Sequence, residues 1–182
     1  MKRTIQILSP LIFFTLFACG QQNDPNKIES IEQWETYSDS NCEIQYPSEW
    51  DENISGQMGT SFILFSPLTS DSDKFRENVN LLIQDLQGQK MDLDSYVELS
   101  ENQVKTLVTN GEIIESEQQN NQNGEHHKLV YYGTQGLFDL RFEQYFWIID
   151  NKAYILTFTS EKEKFATYKD LSEKILNSFK MK

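Results

Sequence analysis

Cysteine, proline and glycine are scarce in this chain of 182 residues, which contains two cysteines, four prolines and eight glycines. Two cysteines are too few for a fold held together by several disulfides, and so little proline and glycine is untypical of low-complexity chains. Hydrophobic residues make up 38% of the sequence and charged residues 24%. These values are typical of an ordinary globular domain.

Basic residues are also scarce: the chain has 16 lysines and arginines but 28 aspartates and glutamates, which gives a formal charge of −12 at pH 7. Nucleic-acid binding needs a basic face, so the composition argues against it. The sequence also lacks the motifs GxGxxG, GxxxxGK[ST], HExxH, GxSxG, SxxK and CxxC. We therefore expect no enzyme and no cofactor. A hydrolase is the least favoured alternative, since 28 carboxylates guarantee chance acidic pairs.

Residues 1–18 have the features of a signal peptide. Lys2 and Arg3 precede an apolar stretch that ends at the small residue Ala18, and this stretch is too short and interrupted to span a bilayer. The sequence Leu-Phe-Ala-Cys at 16–19 resembles the bacterial lipobox, whose cysteine is acylated after the leader is removed. That resemblance implies that Cys19 carries a lipid anchor. An ordinary signal peptide, with Cys19 an incidental thiol, is the alternative.

The anchor predicts how the rest of the chain is organised. Two or three acyl chains hold a protein at a bilayer far more firmly than one. Residues 19–31 are then the lipidated N-terminus and a polar tether, and 32–182 form a single domain. Gly20 stands where an aspartate would retain many Gram-negative lipoproteins at the inner membrane. We therefore expect a lipid-anchored protein of the cell envelope, with the outer membrane favoured over the inner.

The mature chain begins with a predicted hairpin, formed by strands at 34–37 and 42–46. Cys42, Ile44 and Tyr46 alternate with polar residues and share an apolar face. We interpret Cys42 as a small buried hydrophobic residue, in preference to a redox or nucleophilic thiol.

Further strands are predicted after a polar loop that contains Gly56 and Gly59. Their approximate ranges are 61–65, 79–83, 113–117, 128–132, 137–149 and 153–158. The polar run 118–124 ends in Asn-Gly and predicts a protruding hairpin tip. The strand at 137–149 is apolar on one face throughout and on both faces at its far end.

Two helices are predicted, each from a capping-box pattern. Ser95 with Glu98 starts a helix over 95–108, and Ser160 with Glu163 starts the last helix. Short links between strands favour antiparallel pairing, and strands that are apolar on both faces need cover on both sides. The predicted fold class is α+β, a three-layer α/β/α sandwich whose central, mainly antiparallel sheet is flanked by helices.

Candidate metal ligands are few. His126 and His127 are neighbours on a predicted strand and point to opposite faces, so we interpret them as surface histidines and expect no metal site. Two acidic pairs have the spacing that opens a calcium loop but lack its glycine and distal glutamate. These pairs are Asp71-x-Asp73 and Asp92-x-Asp94, and we assign the second to favourable charge at a helix N-terminus.

Four aromatic residues form a weak candidate for an interaction surface: Tyr131, Tyr132, Tyr145 and Trp147. We expect most of them to lie in the core. If part of this cluster is open, it would form an apolar groove suited to a peptide or lipid.

The order of several short motifs along 32–180 resembles the PsbP-like superfamily, especially its bacterial DcrB-type members. In chain order these motifs are Tyr46-Pro47-x-x-Trp50, Phe75-x-x-Asn78-Val79-Asn80, Leu93-x-x-Tyr96, Ala153-Tyr154 with Thr157, and Ile175-x-x-Ser178-Phe179. No single motif is specific, and the matching positions are core and turn residues, so no binding site is carried over from the family.

The resemblance implies an antiparallel sheet between helices and a role as a binding or assembly factor. PsbP assists the photosynthetic oxygen-evolving complex, and DcrB-type proteins are envelope lipoproteins. The expected function is that of a non-enzymatic, envelope-anchored lipoprotein that binds or positions an envelope protein of unknown identity. A small-ligand or metal-binding module is the alternative.

The lipid anchor is tested at the N-terminus. We expect the Cys19→Ala variant to lose the acyl mass and to move to the soluble fraction, because it has no thiol to acylate. Mass spectrometry of the mature N-terminus and membrane fractionation measure both effects. A wild-type N-terminus without acyl groups would contradict the lipoprotein assignment.

Overall fold

The structure, a computed structural model, describes residues 33–182, so the predicted signal peptide, Cys19 and tether lie outside the described residues. The strands are β1 (Trp34–Ser38), β2 (Cys42–Pro47), β3 (Asp51–Asn53), β4 (Thr60–Phe65), β5 (Asn78–Asp85), β6 (Glu112–Asn121), β7 (Gly124–Gln135), β8 (Phe138–Ile149), β9 (Lys152–Glu161) and β10 (Lys180–Met181). The helices are α1 (Leu93–Leu107) and α2 (Phe165–Ser178), with a short 3₁₀ turn at Gln57–Gly59. The expected α+β class is confirmed.

Seven strands form the main sheet in the order β3-β4-β5-β9-β8-β7-β6, and every neighbouring pair is antiparallel. Strands β6 to β9 follow one another as hairpins. The tight β8–β9 turn places Asp150 and Asn151 at φ 50° and 57°, a left-handed conformation that these two residue types tolerate well.

The main sheet is covered on both faces, because its central strands are apolar on both. In β8, Tyr145 and Trp147 belong to one core, and Phe146, which points the other way, belongs to a second. The first core is closed by α2 and a small sheet. The second is closed by α1, which lies over β6, β7 and β8.

The small sheet was not predicted as a separate unit. Its strands have the order β1-β2-β10, so the hairpin at the start of the domain pairs with the end of the chain. The sequence pattern predicts a helix as the last element of the chain. The structure shows that α2 stops at Ser178 and that β10, two residues long, pairs with Cys42 and Glu43. A strand of two residues is too short to give a periodic signal.

Both predicted helix starts were wrong. Helix α1 begins two residues earlier than expected, because the Asp92 side chain accepts a hydrogen bond from the Ser95 N–H at 2.9 Å and so provides the N-cap. Helix α2 begins at Phe165, because Ser160 and Glu161 are still part of β9. Pairing with β8 takes precedence over the local capping pattern there.

The hairpin of β6 and β7 does not protrude as expected, and its strands are longer than predicted. Pairing continues to Asn121 and Gly124, so only Gln122 and Asn123 form the turn. Both turn side chains donate hydrogen bonds to the Phe179 carbonyl oxygen, each at 2.8 Å. The Met181 N–H donates to Asn123 Oδ1 at 3.0 Å. The tip is therefore attached to the C-terminal segment.

This attachment predicts a specific loss of stability. We expect Asn123→Ala to reduce the free energy of unfolding by about 1–2 kcal/mol, since it removes two hydrogen bonds that hold the C-terminal segment. Asn120→Ala, an exposed position on the same hairpin, serves as the control and should change it by less than about 0.5 kcal/mol. Urea unfolding measures both. Equal effects of the two substitutions would contradict the proposed attachment.

Candidate functional site

Helix α1 covers only part of its face of the main sheet, and the uncovered part forms a groove. The groove lies over β4, β5, β9 and β8, beside the core that α1 closes, and has a volume of about 310 Å³. It shares Leu82, Tyr131, Phe142 and Ile155 with that core. This is the candidate functional site.

The floor of the groove is made of amide and hydroxyl side chains from three neighbouring strands. Cross-strand pairing places Asn80 beside Thr157, and Thr157 beside Gln144. Gln144 Nε2 donates to Thr157 Oγ1 at 3.2 Å. Two residues before Asn80 on β5, Asn78 lies beside Thr159 of β9. These polar side chains occupy alternate positions of strands whose other face is buried.

Aromatic and other apolar side chains line the two sides of the floor. Phe65 of β4 lies on one side, with Met58 of the 3₁₀ turn at the edge, and Phe75 of the β4–β5 loop packs against Phe138 of β8 with ring centroids 5.2 Å apart. Phe142 and Tyr131 lie on the other side and are stacked, with ring centroids 4.8 Å apart. The groove therefore has apolar walls above a polar floor.

The described side chains that line the groove carry no formal charge. They are Met58, Ile63, Phe65, Phe75, Asn78, Asn80, Leu82, Tyr131, Gln135, Phe142, Gln144, Ile155, Thr157 and Thr159. The single titratable group among them is Tyr131, and burial raises the pKa of its phenol to about 12, so it is neutral near pH 7. Such a lining can donate and accept hydrogen bonds and pack against apolar surface. It offers no group suited to acid–base catalysis near neutral pH.

Three of the four aromatic residues in the weak candidate surface are buried, as expected: Tyr131, Tyr145 and Trp147. Tyr145 and Trp147 are buried in the core beneath α2, at 5% and 0% exposure. Tyr132 is half-buried, with the Lys162 ammonium 4.0 Å from its ring centre. Only Tyr131 reaches the groove. Neighbouring residues of a strand face opposite ways, and this separates Tyr131 from Tyr132.

The residues that form the floor are not predicted as a site by the sequence. In the sequence, the floor residues are polar side chains at alternate positions of otherwise apolar strands. Asn80 lies between Val79 and Leu81, and Thr157 and Thr159 are two residues apart. On a strand with one solvent-facing side this pattern is ordinary, so it does not mark a site by itself. Asn78 and Asn80 belong to a motif that carries the PsbP-like resemblance, which implies no binding site at these positions.

The two histidines point to opposite faces, as expected, but the assignment of His126 to the surface was wrong. His126 is 2% exposed and stacks on Trp147, with centroids 5.1 Å apart. His127 lies on the α1 face, with its Nε2 2.7 Å from Ser116 Oγ. Within residues 33–182, no three His, Cys, Asp or Glu side chains are grouped closely enough to hold a metal ion.

Ser116, His127 and Glu101 resemble parts of a catalytic triad but are connected in a different order. The Ser116 hydroxyl donates to Glu101 Oε1 at 2.5 Å and contacts His127 on its other side. In a triad the histidine lies between the serine and the carboxylate and accepts the serine proton. Here the carboxylate contacts the serine instead of the histidine, so the arrangement lacks the order of a triad.

Cys42 is fully buried, as predicted, and burial raises the pKa of its thiol to about 12. It is a packing residue of the core beneath α2. The acidic residues considered for calcium also have structural partners. Asp73 Oδ1 lies 2.7 Å from Lys164 Nζ, and Asp92 caps α1 as the sequence analysis expected of a favourable charge at that terminus.

No family model matches this chain, and no curated protein matches it. Several solved structures do match this chain. Cyanobacterial PsbP (CyanoP) from Synechocystis sp. PCC 6803 superposes with a TM-score of 0.61 at 17% identity, covering 92% of this chain and 99% of CyanoP. This chain has the PsbP-like fold. The superfamily resemblance seen in the sequence is confirmed at the level of fold.

Two further structures share the PsbP-like fold with this chain. LpqN of Mycobacterium tuberculosis, described as involved in cell envelope biogenesis, has a TM-score of 0.61 at 10% identity, covering 82% of this chain and 90% of LpqN. PA94 of Pseudomonas aeruginosa, a protein of unknown function, has a TM-score of 0.55 at 13% identity, covering 80% of this chain and 95% of PA94. Membership of the DcrB type stays a prediction.

The buried His126 predicts how the stability of the fold depends on pH. Burial lowers its pKa, so below about pH 6.5 the unfolded chain binds a proton that the folded chain does not. Stability should therefore fall as the pH drops through this window, by up to about 1.4 kcal/mol per pH unit for this group. We expect His126→Phe, which keeps an aromatic ring beside Trp147, to flatten the dependence.

Chemical unfolding at a series of pH values between about 7 and 5 measures the effect on both sides of the ordinary histidine pKa. His127→Phe is the control. Burial also lowers the pKa of His127, but the charges of Glu101, Asp94 and Glu117 oppose that shift, so its contribution should be smaller. The same pH dependence in wild type and His126→Phe would show that His126 does not couple folding to protonation.

Proposed function

We propose that this chain is an envelope-anchored bacterial lipoprotein that acts as a non-enzymatic protein-binding or assembly factor. The lipobox-like sequence at Cys19 supports an anchor, and Gly20 favours the outer membrane. The PsbP-like fold, here with helices on opposite faces of the sheet in the manner of a three-layer α/β/α sandwich, is shared with LpqN, a protein of envelope biogenesis. Within residues 33–182, neither helix is long and apolar enough to cross a bilayer.

One observation carries the binding role: an uncharged groove with an exposed apolar edge. Met58 at the edge is 78% exposed, and Ile54 in the same segment is 62% exposed. Met58 also has φ 55°, a left-handed conformation that is uncommon for a residue other than glycine, asparagine or aspartate. A strained and exposed apolar residue beside a groove is favourable for contact with another protein, since methionine is enriched in interfaces.

A small-ligand module is the second candidate, and the size of the groove favours it. A volume of about 310 Å³ lies at the lower end of the range of about 300–1,000 Å³ for small-molecule sites. The two candidates are compatible, because a ligand in the groove and a protein at its edge would occupy adjoining surfaces.

Site-specific crosslinking tests the protein-binding role. We expect a photoreactive phenylalanine derivative at Met58 to give a discrete adduct with one envelope protein in the producing bacterium, because this side chain lies at the proposed contact. Leu107 is a matched control, since it is 76% exposed but lies at the end of α1, which covers the neighbouring part of the sheet. Gel electrophoresis and mass spectrometry identify the adducts.

The comparison of the two positions decides the outcome. An adduct at Met58 that is absent at Leu107 supports a partner at the groove edge. No adduct at Met58, or the same adducts at both positions, would contradict it.

A further inference from the structure

We propose that the groove is a binding site for a neutral carbohydrate. The inference rests on the proposed binding role of the groove and specifies the chemistry of its ligand. It follows from three properties of the lining taken together: aromatic walls, a floor of amides and hydroxyls, and the lack of charge among the described residues that form it.

The width of the groove is set by the sheet. Phe65 pairs with Asn78, Asn78 with Thr159, and Thr159 with Phe142. Three strand spacings of about 4.8 Å place the backbones of the two wall phenylalanines about 14 Å apart. The side chains between them, Asn78 and Thr159, are shorter than the two phenylalanines, so the aromatic rings form the sides of the groove and the polar groups form its bottom.

The floor matches a ligand that carries several hydroxyl groups. The side-chain amides of Asn78 and Gln144 each use one N–H within the protein, toward the Arg76 carbonyl oxygen at 3.1 Å and Thr157 Oγ1 at 3.2 Å. Each keeps a second N–H and an oxygen, Asn80 carries the same groups, and a ligand hydroxyl can serve as either partner. Neighbouring hydroxyls on a sugar ring can therefore bond two positions of the floor at once. The aromatic walls provide apolar contact for the C–H faces of the same ring.

Other ligand classes fit less well. The lining residues carry no cationic side chain, and the Arg76 guanidinium, which lies 5.2 Å from the Phe65 ring centre, is already paired with Asp51, so an anion is not favoured. A quaternary ammonium ion, although suited to aromatic walls, has no donor for the floor amides. A wholly apolar ligand would bury the remaining N–H and C=O groups of the same amides without partners, which is costly. An extended peptide cannot join as an added strand, because β4, β5, β9 and β8 are already paired with one another.

Titration with neutral trisaccharides tests the inference. The probes are cellotriose, maltotriose and chitotriose, added to the full chain in a detergent without a sugar headgroup. We expect saturable binding of at least one of them by calorimetry, with saturation-transfer NMR showing contact to ring protons. Trigalacturonate, the charged counterpart, should bind at least about tenfold more weakly, since the lining offers no counter-charge.

Variants locate the site. We expect Asn80→Ala to weaken trisaccharide binding by about tenfold, as expected for a lost hydrogen-bonding group. Asn102→Ala, on the exposed face of α1, should leave binding unchanged, and thermal unfolding verifies that both variants are folded. A second groove variant, Thr157→Val, keeps the shape of the side chain and covers the case in which Asn80→Ala fails to fold.

The outcomes separate this inference from the proposed function. Lack of binding by all three neutral probes at millimolar concentration would overturn the carbohydrate site, as would stronger binding of trigalacturonate or equal binding by wild type and both groove variants. A Met58 adduct obtained together with such a result would leave the protein-binding role in place.

Discussion

The main sheet has apolar side chains on both faces of its central strands, and most of the architecture follows from this. In β8, Trp147 and Phe146 are 0% and 2% exposed although they point in opposite directions. Each face therefore needs a cover, because exposing either would forfeit the burial that stabilises the domain. Helix α2 and the small sheet cover one face, and α1 covers part of the other. The groove lies where that second cover ends.

The groove has a fixed shape because its walls are held from outside. Phe75 belongs to the loop between β4 and β5, and this loop is tied to the start of α2 by Asp73, which pairs with Lys164. Burial disfavours the charge on Asp73, but hydrogen bonds from Lys164 and Thr69 outweigh it and hold the pKa of this carboxyl well below its usual range. A loop held by a largely buried ion pair positions an aromatic wall more firmly than a free loop would.

The groove can be understood as the part of the sheet face where the sequence changes from apolar to polar. Beneath α1, β9 presents Ala153 and Ile155, and beyond it the same face presents Thr157 and Thr159. Both threonines are only 6% exposed, so they lie at the bottom of the groove, where Thr157 Oγ1 accepts a hydrogen bond from Gln144. The same change places hydrogen-bonding groups at the bottom of the groove, between aromatic side chains. The proposed carbohydrate would bond to these groups.

The residue pattern by itself determined the strands, their alternation, the buried Cys42 and the antiparallel α+β class, because strand periodicity is local and the apolar residues mark the faces directly. It placed the β6–β7 tip and both helix starts wrongly, and it missed β10 and also β3, whose residues it assigned to a polar loop although they pair with β4. These features depend on pairing or contacts with other parts of the chain, such as Phe179 for Asn123. The candidate site was also decided by tertiary structure alone. Whether Asn80 and Thr157 lie under a helix or in an open groove depends on where α1 ends above the sheet, and no local pattern encodes that position.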